Sequence, residues 1–160
     1  MENIVIADLT SSFHAEAVVS LLNDYAKDKM GGASELSDFV KSNLVSELEK
    51  RPYMFAVLAF VQNEPAGLAI CVEGFSSFAC RPLINIHDLF VSSKYRGRKL
   101  SQKLLAKAEE VAKERKCCKL TLEVLEGNKV AQSAYLSFGF EGYELDPEIG
   151  KALFWQKKLL

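Results

Sequence analysis

No stretch of this 160-residue chain is apolar for long enough to cross a bilayer; the apolar run Phe55–Val61 is far too short. The opening residues MENIVIADL show no basic leader and no cleavage site. A cytoplasmic location is therefore expected. Repeats, low-complexity tracts and Pro/Gly/Ser-rich linkers are missing. The four cysteines, Cys71, Cys80, Cys117 and Cys118, lack metal-ligand spacing, and a chain of this size needs no disulfide staples. Reduced thiols and no metal are expected. Neither sign of charge dominates: 20 Lys/Arg against 21 Asp/Glu give a net charge of −1. That balance argues against a general nucleic-acid binder, and no membrane partner is expected.

Apolar residues make up 49% and charged residues 26%, the composition of a globular protein. The length suits one domain, residues 1–160, with a sizeable core. The charge is unevenly spread. Residues 94–119 hold ten Lys/Arg and three Glu, whereas the rest of the chain holds ten Lys/Arg and eighteen Asp/Glu. Lys103, Lys107 and Lys113 read as a solvated helix face. Arg96, Arg98 and Lys99 read differently, because they sit in a turn.

That turn lies inside Ile86–Leu105, IHDLFVSSKYRGRKLSQKLL. An apolar strand runs into a basic, Gly-containing turn that opens a helix. Leu100, Leu104, Leu105, Ala108, Val111 and Ala112 fall on one helical face. First-turn N–H groups lack intrahelical partners, and the helix dipole favours negative charge there. Three cations at the same place suit a phosphate or pyrophosphate.

The remaining elements follow from periodicity and punctuation. Asn3–Ala7 reads as a strand. Phe13–Lys29 carries a helical stripe and meets Gly31-Gly32. Leu36, Phe39, Val40, Leu44 and Leu48 mark a second helix, closed before Pro52. Tyr53–Val61 and Ala66–Glu73 form a hairpin, and Gly74–Pro82 reads as a loop. Leu83–Val91 is a buried strand, Lys99–Lys116 a helix and Leu120–Leu125 a strand. Asn128 caps a helix striped by Ala131, Ala134, Tyr135 and Phe138, which Gly139 ends. Phe140–Leu145 and Ala152–Lys158 read as two last strands. The order β-α-α-β-β-β-α-β-α-β-β describes an α/β fold, a mixed central sheet flanked by helices.

Two segments together resemble the GNAT superfamily of N-acetyltransferases. Its acetyl-CoA motif, Gln/Arg-x-x-Gly-x-Gly/Ala, falls on Arg96-Gly97-Arg98-Lys99-Leu100-Ser101. Lys99 and Ser101 stand where the family usually has small residues. The second motif, Asn-x-x-Ala-x-x-x-Tyr-x-x-x-Gly-Phe, is matched in full by Asn128, Ala131, Tyr135, Gly139 and Phe140. The resemblance covers nearly the whole chain in element order and is tightest over residues 84–143. Asp88-Leu89-Phe90-Val91 and Tyr95-Arg96-Gly97 are also similar to the diamine acetyltransferase branch.

The resemblance implies acetyl transfer from acetyl-CoA to a primary amine of a small molecule. It implies cofactor contacts from Leu89, Phe90 and Val91, where backbone amides polarise the thioester carbonyl and a pantetheine arm follows the strand edge. Arg96, Gly97, Arg98, Lys99, Leu100 and Ser101 would hold the phosphates. Asn128 and Ala131 would meet the pantetheine. Tyr135 would touch the leaving thiolate and serve as its acid. A phenol near pKa ~10 can at least donate a hydrogen bond to a thiolate whose acid lies near ~8.5. The base is open. Strand alternation puts Asn85, His87, Leu89 and Val91 on one face and Asp88 on the other, with Ile84, Ile86 and Phe90. An imidazole can take a proton at neutral pH, which makes His87 a candidate base. A water relay through Glu123 or Glu73 competes with it. Cys117-Cys118 lacks a supporting His or Asn pattern for nucleophilic chemistry, and its place between helix and strand favours burial. A non-catalytic CoA-binding or regulatory module and a protein or peptide acetyltransferase are the alternatives. A homodimer is compatible with the sequence.

Overall fold

Residues Phe55 to Val61 are all buried, because β2 (Met54–Val61) runs through the interior of a sheet covered on both faces. This computed structural model describes all of Met1–Leu160, in two compact units, Met1–Leu122 and Glu123–Leu160.

The first unit opens with β1 (Glu2–Ile6), α1 (Ser12–Lys27) and α2 (Asp38–Glu49). After β2 come β3 (Glu64–Ser76), β4 (Arg81–Val91), α3 (Leu100–Glu114) and β5 (Leu120–Leu122). The sheet order is β1-β2-β3-β4-β5, with antiparallel pairs throughout except the parallel pair β4–β5. A two-residue turn joins β2 to β3, with Gln62 and Asn63 both at positive φ (52° and 65°). That conformation matches the twist of a hairpin.

Side chains alternate across the sheet. Ala56, Leu58, Phe60, Leu68, Ile70 and Phe90 pack with Ala17, Val18 and Leu21 of α1 and Leu48 of α2. The opposite face receives α3, whose Leu100, Leu104, Leu105, Ala108, Val111 and Ala112 are all buried. Gly67 marks the contact, since a Cβ there would lie 3.0 Å from Leu104 Cδ1. Arg115 follows α3, donates to Glu73 at 2.7 Å and lies 4.9 Å above the Phe55 ring. The α3 helix ends on Lys116 at φ 58°, with Cys117 N–H bonded to Ala112 O and Lys116 N–H to Lys113 O. These two bonds close a Schellman-type cap without glycine.

The second unit contains α4 (Lys129–Phe138), capped as the sequence suggests. Asn128 Oδ1 accepts from Ala131 N–H at 3.2 Å, and Gly139 takes φ 109° at the other end.

Three expectations need correction. Gly74–Pro82 is not an open loop: the β3–β4 ladder continues to Ser76 and Arg81. The expected strand Leu120–Leu125 stops at Leu122. The two expected last strands reduce to one antiparallel bridge, Glu144–Lys151. Apolar alternation is a local property, whereas a strand needs a partner ladder. Tyr143, Leu145, Leu153, Phe154 and Trp155 remain exposed.

Candidate active site

The key local event is a β-bulge in β4. Ile86 pairs with Cys71 and Asp88 with Ile70, so His87 is an extra residue with no partner on β3. A bulge shifts the side-chain register by one. Ile84, Ile86, Leu89 and Val91 therefore share the α3 face, while Asn85, Asp88 and Phe90 share the α1 face. This corrects the alternation expected from the sequence, which placed Asn85 with Leu89 and Asp88 with Ile84 and Ile86. His87 itself is exposed on the bulge.

Beyond the bulge the other edge of β4 is open in the sheet. The parallel ladder with β5 covers only Ile84–Ile86, paired with Leu120–Leu122. Asn85 Nδ2 donates to Thr121 Oγ1 at 3.0 Å within that short ladder. From His87 to Val91, no strand pairs with this edge. Backbone groups there can accept an extended polar ligand as a strand neighbour.

The open edge leads into the basic turn. Ser92 N–H donates to Ala66 O at 2.9 Å, and a 3-10 turn, Ser93–Tyr95, follows. Tyr95 is buried and donates to Glu64, which also pairs with Lys94. This anchors the entry to the turn. Arg96, Gly97, Arg98 and Lys99 are exposed, whereas Leu100 is buried at the start of α3. Gly97 has φ 82°, and a Cβ there would meet nothing within 4 Å.

Lys99 is the N-cap of α3 and sits at φ 58° with no side-chain capping bond. The left-handed backbone gives a second reason for small residues here, besides close approach to a phosphate. Arg96 Nη2 is 3.2 Å from Asp28 Oδ2, and Arg98 Nη1 is 3.6 Å from Glu2 Oε1. Glu2 also pairs with Lys103. The exposed cations, the open glycine and the first-turn amides of α3 together fit an anionic group.

Asp88 is a residue that the alternation argument passed over. Its half-buried carboxyl shares the α1 face with Phe90, against which Tyr25 stacks at 5.6 Å. Burial pushes its pKa up, and neighbouring His87 partly opposes that shift. Burial raises the Tyr25 phenol too, with Asp88 and Asp28 adding to the effect. The available signal was an acid within a largely apolar strand, but the bulge decides its face. Glu73, one of the two relay candidates, is engaged by Arg115 at 2.7 Å.

Cys71 and Cys117 are poorly placed to act as nucleophiles. Cys71 is buried, and burial pushes its thiol up to about 12. Burial also raises Cys117, while Cys118 is exposed, contrary to the burial expected of the pair. A thiol held protonated is a poor nucleophile.

Glu123, Asn128, Ala131 and Tyr135 belong to the second unit. Tyr135 is half-buried on α4, and its ring meets Phe140 edge-on at 5.9 Å. Its carbonyl accepts from Gly139 and Phe140 N–H, which fixes the helix end.

A sheet edge left open and running into a basic helix start has the geometry to suit an extended, anionic ligand. The sequence profile of the acetyltransferase (GNAT) family matches residues 17–140, and the chain belongs to that family. It is similar to the thialysine N-epsilon-acetyltransferase of Caenorhabditis elegans, 27% identical over 135 residues, covering 84% of this chain and 81% of the relative. The Bos taurus thialysine N-epsilon-acetyltransferase is 38% identical over 90 residues, 54% of this chain and 53% of that protein. Among solved structures, AAC(6')-Iy in complex with the bisubstrate analogue CoA-S-monomethyl-acetylneamine superposes with a TM-score of 0.77 at 16% identity, covering 99% of both chains. That likeness concerns the fold.

Proposed function

We propose that this N-acetyltransferase transfers the acetyl group of acetyl-CoA to a primary amine of a small cationic molecule by direct attack. The observation that carries the reading is the open edge of β4, His87–Val91, continuous with the basic turn Arg96–Ser101. Acetyl-CoA supplies the activated thioester. Arg96, Arg98, Lys99 and the amides of Gly97, Leu100 and Ser101 hold its phosphates. Backbone groups of Leu89, Phe90 and Val91 bind the pantetheine arm and donate to the thioester carbonyl, whose oxygen gains charge as the amine attacks.

An aliphatic amine arrives protonated at neutral pH and must lose a proton before attack. His87, exposed at the end of the open edge, accepts that proton directly or through one water. Glu123 is the competing relay. The thialysine acetyltransferase relatives support an amine on a small molecule as the acceptor class. Tyr135 donates to the departing thiolate, and Asn128 and Ala131 meet the pantetheine. The family match, residues 17–140, covers most of the first compact unit and reaches into the second, which supports reading residues 1–160 as one acetyltransferase domain.

The test is purified protein with acetyl-CoA and a panel of amines, polyamines, amino acids and peptides, read by thiol release. Turnover with a small amine and none with peptides is expected. Turnover restricted to peptides would overturn the acceptor class. His87→Gln should lower kcat and flatten the acidic limb of the rate profile, since a protonated imidazole cannot act as base. An unchanged limb would transfer the role to Glu123.

A further inference from the structure

The cofactor turn is tied to the loop between α1 and α2 by one ion pair. Arg96 Nη2 lies 3.2 Å from Asp28 Oδ2, and both side chains retain solvent contact, 59% and 30% exposed. Asp28 is the keystone of that loop. Its Oδ1 accepts from Met30 N–H at 2.9 Å, and its carbonyl accepts from Gly31 and Ala33 N–H. Its own N–H donates back to Asp24 and Tyr25 carbonyls. Gly31 is wedged so tightly that a Cβ there would lie 2.0 Å from Tyr25 O. The loop then returns along α1: Ser34 N–H donates to Ala26 O, and Leu36 N–H to Asn23 Oδ1. A change in the position of Asp28 is therefore felt through residues 29–36.

The two oxygens of Asp28 have separate tasks. Oδ1 holds the loop, and Oδ2 holds Arg96. Arg98 is paired differently, with Glu2 on β1, which does not touch this loop's hydrogen bonds. Phosphate oxygens at the turn would compete with Asp28 for the Arg96 guanidinium, since a guanidinium binds phosphate and carboxylate through the same donors.

We propose that Asp28 is a positioning residue whose ion pair with Arg96 couples the cofactor turn to the α1–α2 loop. An empty turn leaves Arg96 on Asp28 and holds the loop closed against α1. A phosphate in the turn draws Arg96 away and loosens residues 29–36. This proposal rests on the reading that acetyl-CoA phosphates occupy the Arg96–Ser101 turn.

The experiment compares wild type, Asp28→Asn, Asp28→Ser and Glu2→Gln, without acceptor. Calorimetry measures acetyl-CoA affinity, and hydrogen exchange follows the amides of residues 29–36. Asn and Ser both keep an oxygen able to cap Met30 N–H, so the loop retains its anchor. Both Asp28 variants should bind acetyl-CoA about two- to five-fold more tightly at low salt, the scale of an exposed ion pair. Saturating acetyl-CoA should speed loop exchange in wild type and leave the already faster exchange of the Asp28 variants unchanged. Glu2→Gln should also tighten binding, yet keep the wild-type loop response. Slowed or unaltered loop exchange in wild type on binding would refute the coupling alone. No heat of binding in any of the four proteins would remove the cofactor reading, and the coupling with it.

Discussion

Replacing Lys99 by glycine should stabilise the protein, although Lys99 stands in the turn proposed to hold the cofactor phosphates. Its backbone sits at φ 58°, where a non-glycine residue costs roughly 1–2 kcal/mol. Glycine adopts this conformation without strain but loses more freedom on folding, a cost of about 0.5–1 kcal/mol. Removing a cation from the N-terminus of α3 returns about 0.3–1 kcal/mol. The net gain is on the order of 1 kcal/mol, which corresponds to a rise in Tm of about 2–4 °C for a chain of this size. Thermal and urea denaturation without ligand measure it. Acetyl-CoA affinity should change in the other direction and modestly. Loss of one exposed ammonium weakens binding by no more than about five-fold at low salt. An unchanged or lower Tm would show that the left-handed backbone at Lys99 carries no strain. A ten-fold gain in affinity would show that the lysine side chain obstructs the turn.

Tyr135→Phe should retain the fold and acetyl-CoA affinity while kcat falls on the order of 10²-fold; unchanged kcat in steady-state assays would return the phenol to a packing role. Asp88→Asn should raise Tm at pH 7 and leave it unchanged near pH 3. Burial raises the folded pKa of this carboxyl, so its ionised form is disfavoured by folding. That penalty is absent below the unfolded pKa and fully present above the folded one. Equal differences in Tm at both pH values would show that the carboxylate is not penalised by burial.

The helices were legible because each is specified locally. The α3 stripe appears unchanged in the structure, and Asn128 and Gly139 cap α4 through bonds between near neighbours. The hairpin of β2 and β3 followed from continuous apolar runs and a polar turn. The bulge at His87 was not legible. It depends on how β4 registers against β3, and no residue in NIHDLFV announces an extra position. The faces of His87 and Asp88 were consequently misread. The turn's cations were visible as a cluster, but their partners Asp28 and Glu2 lie 68 and 96 residues away in sequence, beyond any local pattern. The C-terminal strands failed for the same reason: alternation was present and a ladder was not.

The bulge also bears on self-association. An unpaired strand edge invites another chain to add to it, and the stretch His87–Val91 is otherwise apolar enough to do so. On the proposed reading, an edge that admits a pantetheine arm must refuse a polypeptide. Parallel pairing with β5 stops at Ile86, the residue before the bulge, because the ladder cannot continue past an extra residue without losing register. A peptide strand approaching the same edge meets the same break. It also meets His87 and Asp88 side by side at its start. A thin, flexible ligand is free of that register and is not excluded by it.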